Sequence, residues 1–376
     1  MMAAAVFLLS FVFVLYVLAG YPLLLLLVSR KFARPVERAP NLRTVSVLIA
    51  VHNGEQFLEA KIGSLFASNY PRELLEVFVL SDGSTDATEA IARRQDGVKL
   101  ITLPKGGKAA ALNAGMAAAS GDVLLFTDVR QELHPDSIRL LLDCLSDPTV
   151  GVASGALVIR DPANHEEANT SLYWRYEFWI RDKLSSLDSI FGATGALYAV
   201  RRELANTIPK GALLDDMYLP LAAFFKGYRL IVEPRAKMYD YPTALDTEFR
   251  RKVRTLAGNY QILRAYPALL TPANRLWWHF LSYKFGRLLL PFALIAILIS
   301  GMLLPFPWWI PAVSAQALFY GLAVLDWWIR GGFLKRISSP VRTFVTLMGA
   351  GLFAVLIFFV PSERLWERRT RVVRKA

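Results

Sequence analysis

Cysteine is almost absent from this chain, the one thiol being Cys144. An intrachain disulfide is therefore impossible, and zinc sites built on several thiolates are excluded. Histidine is nearly as scarce, with four among 376 residues. His134 and His279 stand near Pro and Trp without spaced partners, and His165 lies in the acidic stretch Asp161–Glu167. None has metal-ligand spacing, so solvated or structural roles are expected. Charge is sparse as well: 20% of residues are charged against 54% hydrophobic, with a mean hydropathy of +0.35. That balance excludes an intrinsically disordered chain. The charge leans basic, 43 Lys and Arg against 31 Asp and Glu, a formal net charge of +12. Such an excess suits nucleic acid, anionic lipid or phosphate-bearing ligands. Here the cations gather around apolar runs at the two ends instead of interleaving with aromatics in the polar middle. A bilayer accounts for that distribution, and nucleic acid is not an expected partner.

Val6–Val28 is apolar apart from Ser10, Gly20 and two tyrosines, and about 20 such residues span a bilayer. A cleaved signal peptide would have a shorter apolar region, a basic residue before it and a small-residue cleavage site after it. No charge precedes this run, whereas Arg30, Lys31, Arg34 and Arg38 come after it. A retained anchor is expected, with the chain beyond Val28 entering the cytoplasm. Three more apolar runs lie towards the other end: Leu288–Leu304, Pro311–Ile329 with Asp326 near its end, and Val345–Val360. Trp277, Trp278 and Tyr283 ahead of the first suit an aromatic interface belt. Basic clusters at Arg330–Arg336 and Arg364–Lys375 flank the last run. Both suit the cytoplasm, yet a single span would separate them. Either that run is re-entrant or interfacial, or the tail is external despite its charge. Trp366 in the tail reads as an interface anchor.

Between these ends the pattern changes. Val45–Val51 is β-branched and wholly apolar, as a buried parallel strand requires. Phe57, Leu58, Ile62, Leu65 and Phe66 recur at helical spacing within Glu55–Ser68. Leu75–Leu80 predicts a second strand, Asp86–Arg94 a second helix, Val98–Leu103 a third strand and Lys108–Ala119 an alanine-rich helix. Val123–Thr127 and Pro135–Leu145 predict a further strand and helix. Strand alternates with helix over short connections, which predicts a doubly wound α/β domain with a mainly parallel sheet. Ligands of such sheets bind beyond the carboxyl ends of the strands. The polar residues there are His52, Asn53, Glu55, Asp82 and Asp128.

Three motifs sit at those strand ends. Ser81-Asp82-Gly83-Ser84-Thr85-Asp86 reads as an Asx turn with a cap at Thr85 or Asp86. Asp82, ahead of the turn, points to a ligand role. Lys105-Gly106-Gly107-Lys108 opens a helix, where backbone N–H groups and a lysine favour an anion. It lacks the spacing of an ATPase phosphate loop. Phe126-Thr127-Asp128-Val129-Arg130 places a carboxylate where a magnesium or manganese ion would be held with substrate phosphates.

Taken in order, these motifs resemble family 2 glycosyltransferases of the GT-A fold. The likeness runs from His52-Asn53-Gly54-Glu55 through Ser81–Asp86, Gly107–Gly115 and Thr127-Asp128, over roughly Thr44–Tyr260, and the flanking apolar runs match the membrane-bound branch. Gly192-Ala193-Thr194-Gly195-Ala196 resembles the acceptor-side loop of that family, which puts Gly192, Thr194 and Gly195 beside the acceptor. Leu214-Asp215-Asp216 resembles its Glu-Asp motif, which implies that Asp215 and Asp216 are both catalytic, with Asp216 as the base. Arg251-Lys252-Val253-Arg254-Thr255 falls where membrane-bound members carry Gln-x-x-Arg-Trp. Three departures stand out. The second carboxylate of Asp-x-Asp is Arg130, Asp215 replaces Glu, and Arg251 and Thr255 replace the Gln and Trp. The missing Trp weakens a reading as a cellulose, chitin or hyaluronan synthase, and Arg130 either lowers metal affinity or itself faces the diphosphate.

The resemblance implies an inverting transfer from a nucleotide-diphosphate sugar, UDP-linked, to a lipid-linked, lipid or polysaccharide acceptor. His52, Asn53, Glu55, Asp82, Lys108, Asp128, Arg130, Arg251 and Arg254 are the expected donor-binding residues, and Asp128 with Mg2+ or Mn2+ the metal site. Like-charge repulsion from Asp215 would raise one pKa of the acidic pair. The bland alternative is that the pair only caps a helix starting at Met217. The arginines equally suit a basic helix, Arg250–Arg264, lying on anionic lipid. Membrane lipid and other polysaccharide-assembly subunits are expected partners. The expected organisation is an anchor at 1–30, a linker at 31–43, a GT-A domain at 44–248, a basic interfacial region at 249–285, membrane helices at 286–362 and a basic tail at 363–376. The integral membrane protein would keep its catalytic domain on the cytoplasmic side of the plasma (inner) membrane. A non-catalytic membrane subunit that binds nucleotide or a partner synthase is the rival reading, motivated by Arg130.

Overall fold

The structure, a computed structural model, describes residues 1–161, 172–242 and 245–360. His165, Trp366 and the basic tail lie outside the described residues. In chain order the first helix is α1 (Met2–Phe32), which takes a wider π turn at Tyr16–Gly20. Then come β1 (Val45–Val51), α2 (Glu55–Phe66), β2 (Leu75–Asp82), α3 (Thr88–Arg94), β3 (Val98–Leu103), α4 (Lys108–Ala118) and β4 (Val123–Thr127). They are followed by β5 (Glu132–Leu133), α5 (Ser137–Cys144), β6 (Val150–Ile159), α6 (Leu172–Leu187), β7 (Leu197–Arg201), α7 (Asp215–Phe225) and β8 (Arg229–Asp240). The last helices are α8 (Leu245–Ala265), α9 (Trp277–Met302), α10 (Trp309–Leu325) and α11 (Gly332–Phe358). The chain forms two compact units, one of Ser29–Asn169 with Arg181–Pro242, the other of Met1–Val28 with Thr170–Ile180 and Thr243–Ala376.

The first unit is built on an eight-stranded sheet of order β3-β2-β1-β4-β7-β6-β8-β5. Pairs β1–β2, β1–β4, β2–β3 and β6–β8 are parallel, whereas β4–β7, β6–β7 and β5–β8 are antiparallel. The alternating half predicted from the sequence is the parallel half, and β7 enters between β4 and β6 with reversed direction. In β1 the β-branched residues are buried on both faces, as in a central strand covered by helices. Leu58, Ile62 and Leu65 of α2 pack with Val47, Ile49 and Val79 in the main core. Gly115 lets α4 close on the opposite face: a Cβ there would lie 2.6 Å from Leu80 Cδ1. The helix predicted from Asp86 begins at Thr88 with Ala87 at its N-cap, not Thr85 or Asp86; Asp86 stays in the turn before it, where its Oδ1 accepts from the Thr88 N–H at 3.0 Å.

The second unit holds three helices long and apolar enough to cross a membrane, Met2–Phe32, Trp277–Met302 and Gly332–Phe358, plus the shorter apolar α10. Val14 and Val17 of α1 pack on Leu290 and Ile297 of α9. Tyr16 and Ser282 share a hydroxyl hydrogen bond of 2.7 Å, and Tyr21 Oη lies 3.2 Å from His279 Nδ1. Trp277 and Trp278, read as lying ahead of a span, belong to the same continuous helix as Leu288. The boundaries expected at 248/249 and 285/286 fall inside α8 and α9. The last of these helices starts well before Val345 and includes Lys335, Arg336 and Arg342. Lys335 and Arg342 both pair with Asp326, which is fully buried.

Candidate active site

The site forms where β1, β2 and β4 end, and two turns lace it together. Asn53 takes a left-handed backbone, φ 55°, which brings its side chain under the β2–α3 turn. Its Oδ1 accepts the Thr85 N–H at 2.8 Å and its own N–H donates to Ser84 Oγ at 3.1 Å. Glu55 N donates to Asp86 Oδ2 at 3.1 Å, and Glu55 Oε2 accepts the Ala87 N–H at 3.0 Å. His52 Nδ1 donates to the Asp82 carbonyl at 2.8 Å. The side chains of Asn53 and Glu55 thus hold one turn against the other. His52, Asn53 and Glu55 remain exposed at the strand end.

Asp82 is buried and faces the glycine-rich loop. Its Oδ1 accepts the Gly106 N–H at 2.6 Å and the Gly107 N–H at 3.0 Å. The anion in the glycine nest is therefore the carboxylate of Asp82 itself. Gly83 permits this approach: at φ +63°, a Cβ would sit 2.8 Å from Lys105 N. The same contact sets the start of α4 and so the position of Lys108.

Lys108 gathers the carboxylates. Its Nζ lies 2.9 Å from Asp128 Oδ1 and 3.2 Å from Asp215 Oδ2. Burial opposes its charge, but Asp128, Asp215 and Asp216 together raise its pKa above the ordinary lysine value. Asp215 and Asp216 open α7, where the helix dipole favours negative charge. Asp215 is buried, and beyond its ion pair with Lys108 its Oδ2 accepts no hydrogen bond among the described residues. The expected acceptor-side loop packs directly on this pair. Ala193 N donates to the Asp216 carbonyl at 2.7 Å, and Thr194 N donates to Ser154 Oγ at 2.8 Å. Gly192 lies over Met217, where a Cβ would be 2.4 Å from its Cγ, and a Cβ on Gly195 would lie 2.9 Å from Asp216 Oδ2.

Two further residues went unnoticed in the sequence. Lys61, on the inner face of α2, is fully buried, and its Nζ donates to Thr127 Oγ1 and to the Gln131 carbonyl, both at 2.6 Å. It ties together both ends of the segment that carries Asp128. Burial lowers its pKa to about 7, against the opposing pull of Asp128 and Glu132. Its place among Leu58, Ile62 and Leu65 was the available signal, a lysine on an apolar helix face. Tyr198 of β7 stacks on Phe126 with centroids 4.7 Å apart and planes 8° from parallel. Its hydroxyl is buried without a hydrogen-bond partner among the described residues. Burial first, then Asp215, Asp216 and Asp128, push its pKa well above the ordinary phenol value.

Arg130 does not reach towards this cluster: its guanidinium pairs with Asp240, which also accepts from Gln131 Nε2 at 2.8 Å. Arg251 and Arg254 lie on α8 in the other unit, where Arg251 pairs with Glu248 at 2.6 Å. Among the described residues no group of three or more His, Cys, Asp or Glu forms a metal cage. Asp128 is partly exposed, and its Oδ2 accepts no hydrogen bond among the described residues. One such carboxylate fits a hard ion completed by water and substrate phosphates.

The model of Glycosyl transferase family 2 matches residues 46–208, and that of Glycosyl transferase family group 2 matches 128–358, more than half of the chain. The probable glycosyltransferase YdaM of Bacillus subtilis is 25% identical over 253 residues, 62% of this chain and 59% of its own length. The beta-monoglucosyldiacylglycerol synthase of Synechocystis is 25% identical over 313 residues, 74% of this chain and 63% of its own. The chain thus spans about three-fifths of the length of these two relatives. An N-acetylglucosaminyltransferase of Rhizobium meliloti is 27% identical over 346 residues, covering 84% of this chain and 79% of that one. Among solved structures, the mannosyltransferase PcManGT from Pyrobaculum calidifontis, in complex with GDP-Man and Mn2+, superposes with a TM-score of 0.73. That match has 21% identity and covers 97% of this chain and all of the other, which establishes a shared GT-A fold.

Proposed function

The chain belongs to Glycosyl transferase family group 2, and from that membership we propose that it moves a sugar from a nucleotide-diphosphate sugar to a lipid-linked, lipid or polysaccharide acceptor, with inversion. The observation that carries the reading is the cluster in which Lys108 bridges Asp128 and Asp215 while Asp216 stands against the Gly195 backbone. It supplies what the transfer needs, a cation for the leaving diphosphate and a carboxylate base.

The acceptor hydroxyl gives its proton to the Asp216 carboxylate as its oxygen bonds to the anomeric carbon. The bond from that carbon to the diphosphate oxygen breaks, and the nucleoside diphosphate leaves with the electron pair. Attack from the side opposite the leaving group inverts the anomeric centre. Lys108 neutralises charge on the departing diphosphate, and Asp82 keeps Lys108 in place through the glycine loop. A divalent ion, Mg2+ or Mn2+, would be held by Asp128 and would supply further charge neutralisation at the diphosphate. Gly195 keeps the space in front of Asp216 open for the acceptor oxygen.

A UDP-sugar is the proposed donor. The apolar helices support a membrane location, the basic residues Arg30, Lys31, Arg34 and Arg38 support a transferase domain on the cytoplasmic side, and the relative named beta-monoglucosyldiacylglycerol synthase supports a lipid among the acceptors. Donor, acceptor and metal are tested together by nucleotide release from purified protein in detergent with lipid extract. UDP- and GDP-sugars are offered with manganese, magnesium or chelator. One sugar is expected to release nucleotide, and Asp216→Asn is expected to abolish release while retaining nucleotide binding. Unchanged release in that variant removes Asp216 as the base. Nucleotide binding without release from any donor supports the rival non-catalytic subunit.

A further inference from the structure

The junction between α10 and α11 carries a cluster of charge that the transfer reaction leaves unused. Asp326, immediately after α10, is fully buried. Its Oδ2 lies 3.0 Å from Lys335 Nζ and 2.8 Å from Arg342 Nη1, and its Oδ1 accepts from Ser338 Oγ at 2.5 Å. A single cation would neutralise this carboxylate, yet two are bound to it. Arg330 and Arg336 are exposed on the same junction, and Asp326 is the sole acidic residue from 326 to 342. Four cations therefore stand against one carboxylate.

Beside them α10 and α11 leave a groove of about 450 Å3, lined chiefly by Ala323, Val324, Trp327, Trp328, Val345 and Arg342. Its walls are apolar and its one charged lining group is Arg342. Trp327 and Trp328 are 76% and 69% exposed at the helix end, where tryptophan beside cations marks a membrane–water interface. Inorganic phosphate would satisfy the charge and leave the groove bare, and a neutral lipid would do the reverse. Arg342 uses one nitrogen on Asp326, and a guanidinium has further donors suited to a phosphate.

We infer that this junction is a binding site for an anionic membrane lipid, its headgroup phosphate on Arg342 and an acyl chain in the groove. Arg330 and Arg336 add attraction at longer range. The inference rests on the reading that these helices lie in a bilayer. A basic residue near an anionic surface contributes ~1 kcal/mol, about fivefold in local lipid enrichment.

The test uses the full chain in phosphatidylcholine nanodiscs, with tryptophan fluorescence quenched by brominated phosphatidylglycerol or brominated phosphatidylcholine. Phosphatidylglycerol is expected to quench at a several-fold lower mole fraction. The excess should vanish in Trp327→Phe/Trp328→Phe, which removes the reporters, and should shrink about fivefold or more in Arg342→Gln. Because Arg342 also holds Asp326, Arg330→Gln/Arg336→Gln serves as a second variant that leaves every partner of Asp326 in place, and it too should weaken the preference. Equal quenching by the two headgroups overturns the site and leaves the transferase reading standing, since nucleotide release is measured separately. An excess that survives loss of the two tryptophans also overturns it. Quenching by neither lipid overturns the site and the membrane placement together.

Discussion

Replacing Lys61 with methionine separates the electrostatics of the Asp128 segment from its chemistry. The ammonium of Lys61 is fully buried and its two hydrogen-bond partners, Thr127 and Gln131, are neutral. Burial lowers its pKa from 10.5 to about 7, with Asp128 and Glu132 acting in the opposite direction. The folded value lies below the unfolded one, so between these pH values the unfolded chain binds the extra proton. The Lys61 contribution to stability then rises with pH from about 7 to about 10.5, by up to ~1.4 kcal/mol per pH unit, and is level below about 7. Across two pH units inside that window, the rise is about 2–3 kcal/mol. Methionine has similar length and does not titrate, so Lys61→Met should remove this gradient. The assay is unfolding of both proteins in detergent at a series of pH values, read as the difference between them. Parallel profiles refute the reasoning, because they mean that Lys61 is not held neutral by burial. The variant also frees Thr127 and Gln131 from a common tether, so turnover should fall roughly tenfold through misplacement of Asp128.

Tyr198→Phe removes a buried hydroxyl that has no hydrogen-bond partner among the described residues, and such a group costs ~1–3 kcal/mol. The variant should melt at a higher temperature, and a lower one would reveal a partner for the hydroxyl. Gly195→Ala pushes a methyl to 2.9 Å from Asp216 Oδ2. Because the carboxylate can swing aside, the fold should survive while kcat drops about 100-fold; unchanged kcat would remove Asp216 from the reaction. Glu76 titrates at about 2: burial raises its pKa, but Lys99, Ser46 and Ser120 hold its carboxylate ionised. Its pKa is lowered from 4.5, so its contribution is present above that value and is lost as pH falls towards about 2. Glu76→Gln should flatten the acid limb of the unfolding profile, and an unaltered limb would count against it.

Much of the site was legible because each motif is local. A turn after β2 leading into α3, a glycine loop opening α4 and a carboxylate at the end of β4 each follow from residues adjacent in the chain. The contacts those residues make were less legible. The Gly106 and Gly107 amides looked available to phosphate, yet Asp82 reaches them from another strand. Arg130 invited a role at the diphosphate, but Asp240, 110 residues further along, takes it instead. Lys61 is not legible because its partners, Thr127 at the end of β4 and Gln131 just after it, lie more than sixty residues further along the chain. In the apolar half, the last helix extends further towards its start than the apolar run suggests, since nothing adjacent to Lys335 and Arg342 in the chain shows that both pair with Asp326.

The sequence by itself determined the class of fold, the order of strand and helix through β4, and the family. Hydrophobic periodicity and turn residues act over a few positions, and the motifs carry their own spacing. Only the tertiary structure decided that β7 runs antiparallel between β4 and β6, that Lys108 joins Asp128 to Asp215, and that Gly195 faces Asp216. Those contacts join residues far apart in the chain, so they exist only once the sheet has closed and the loops at its edge have met.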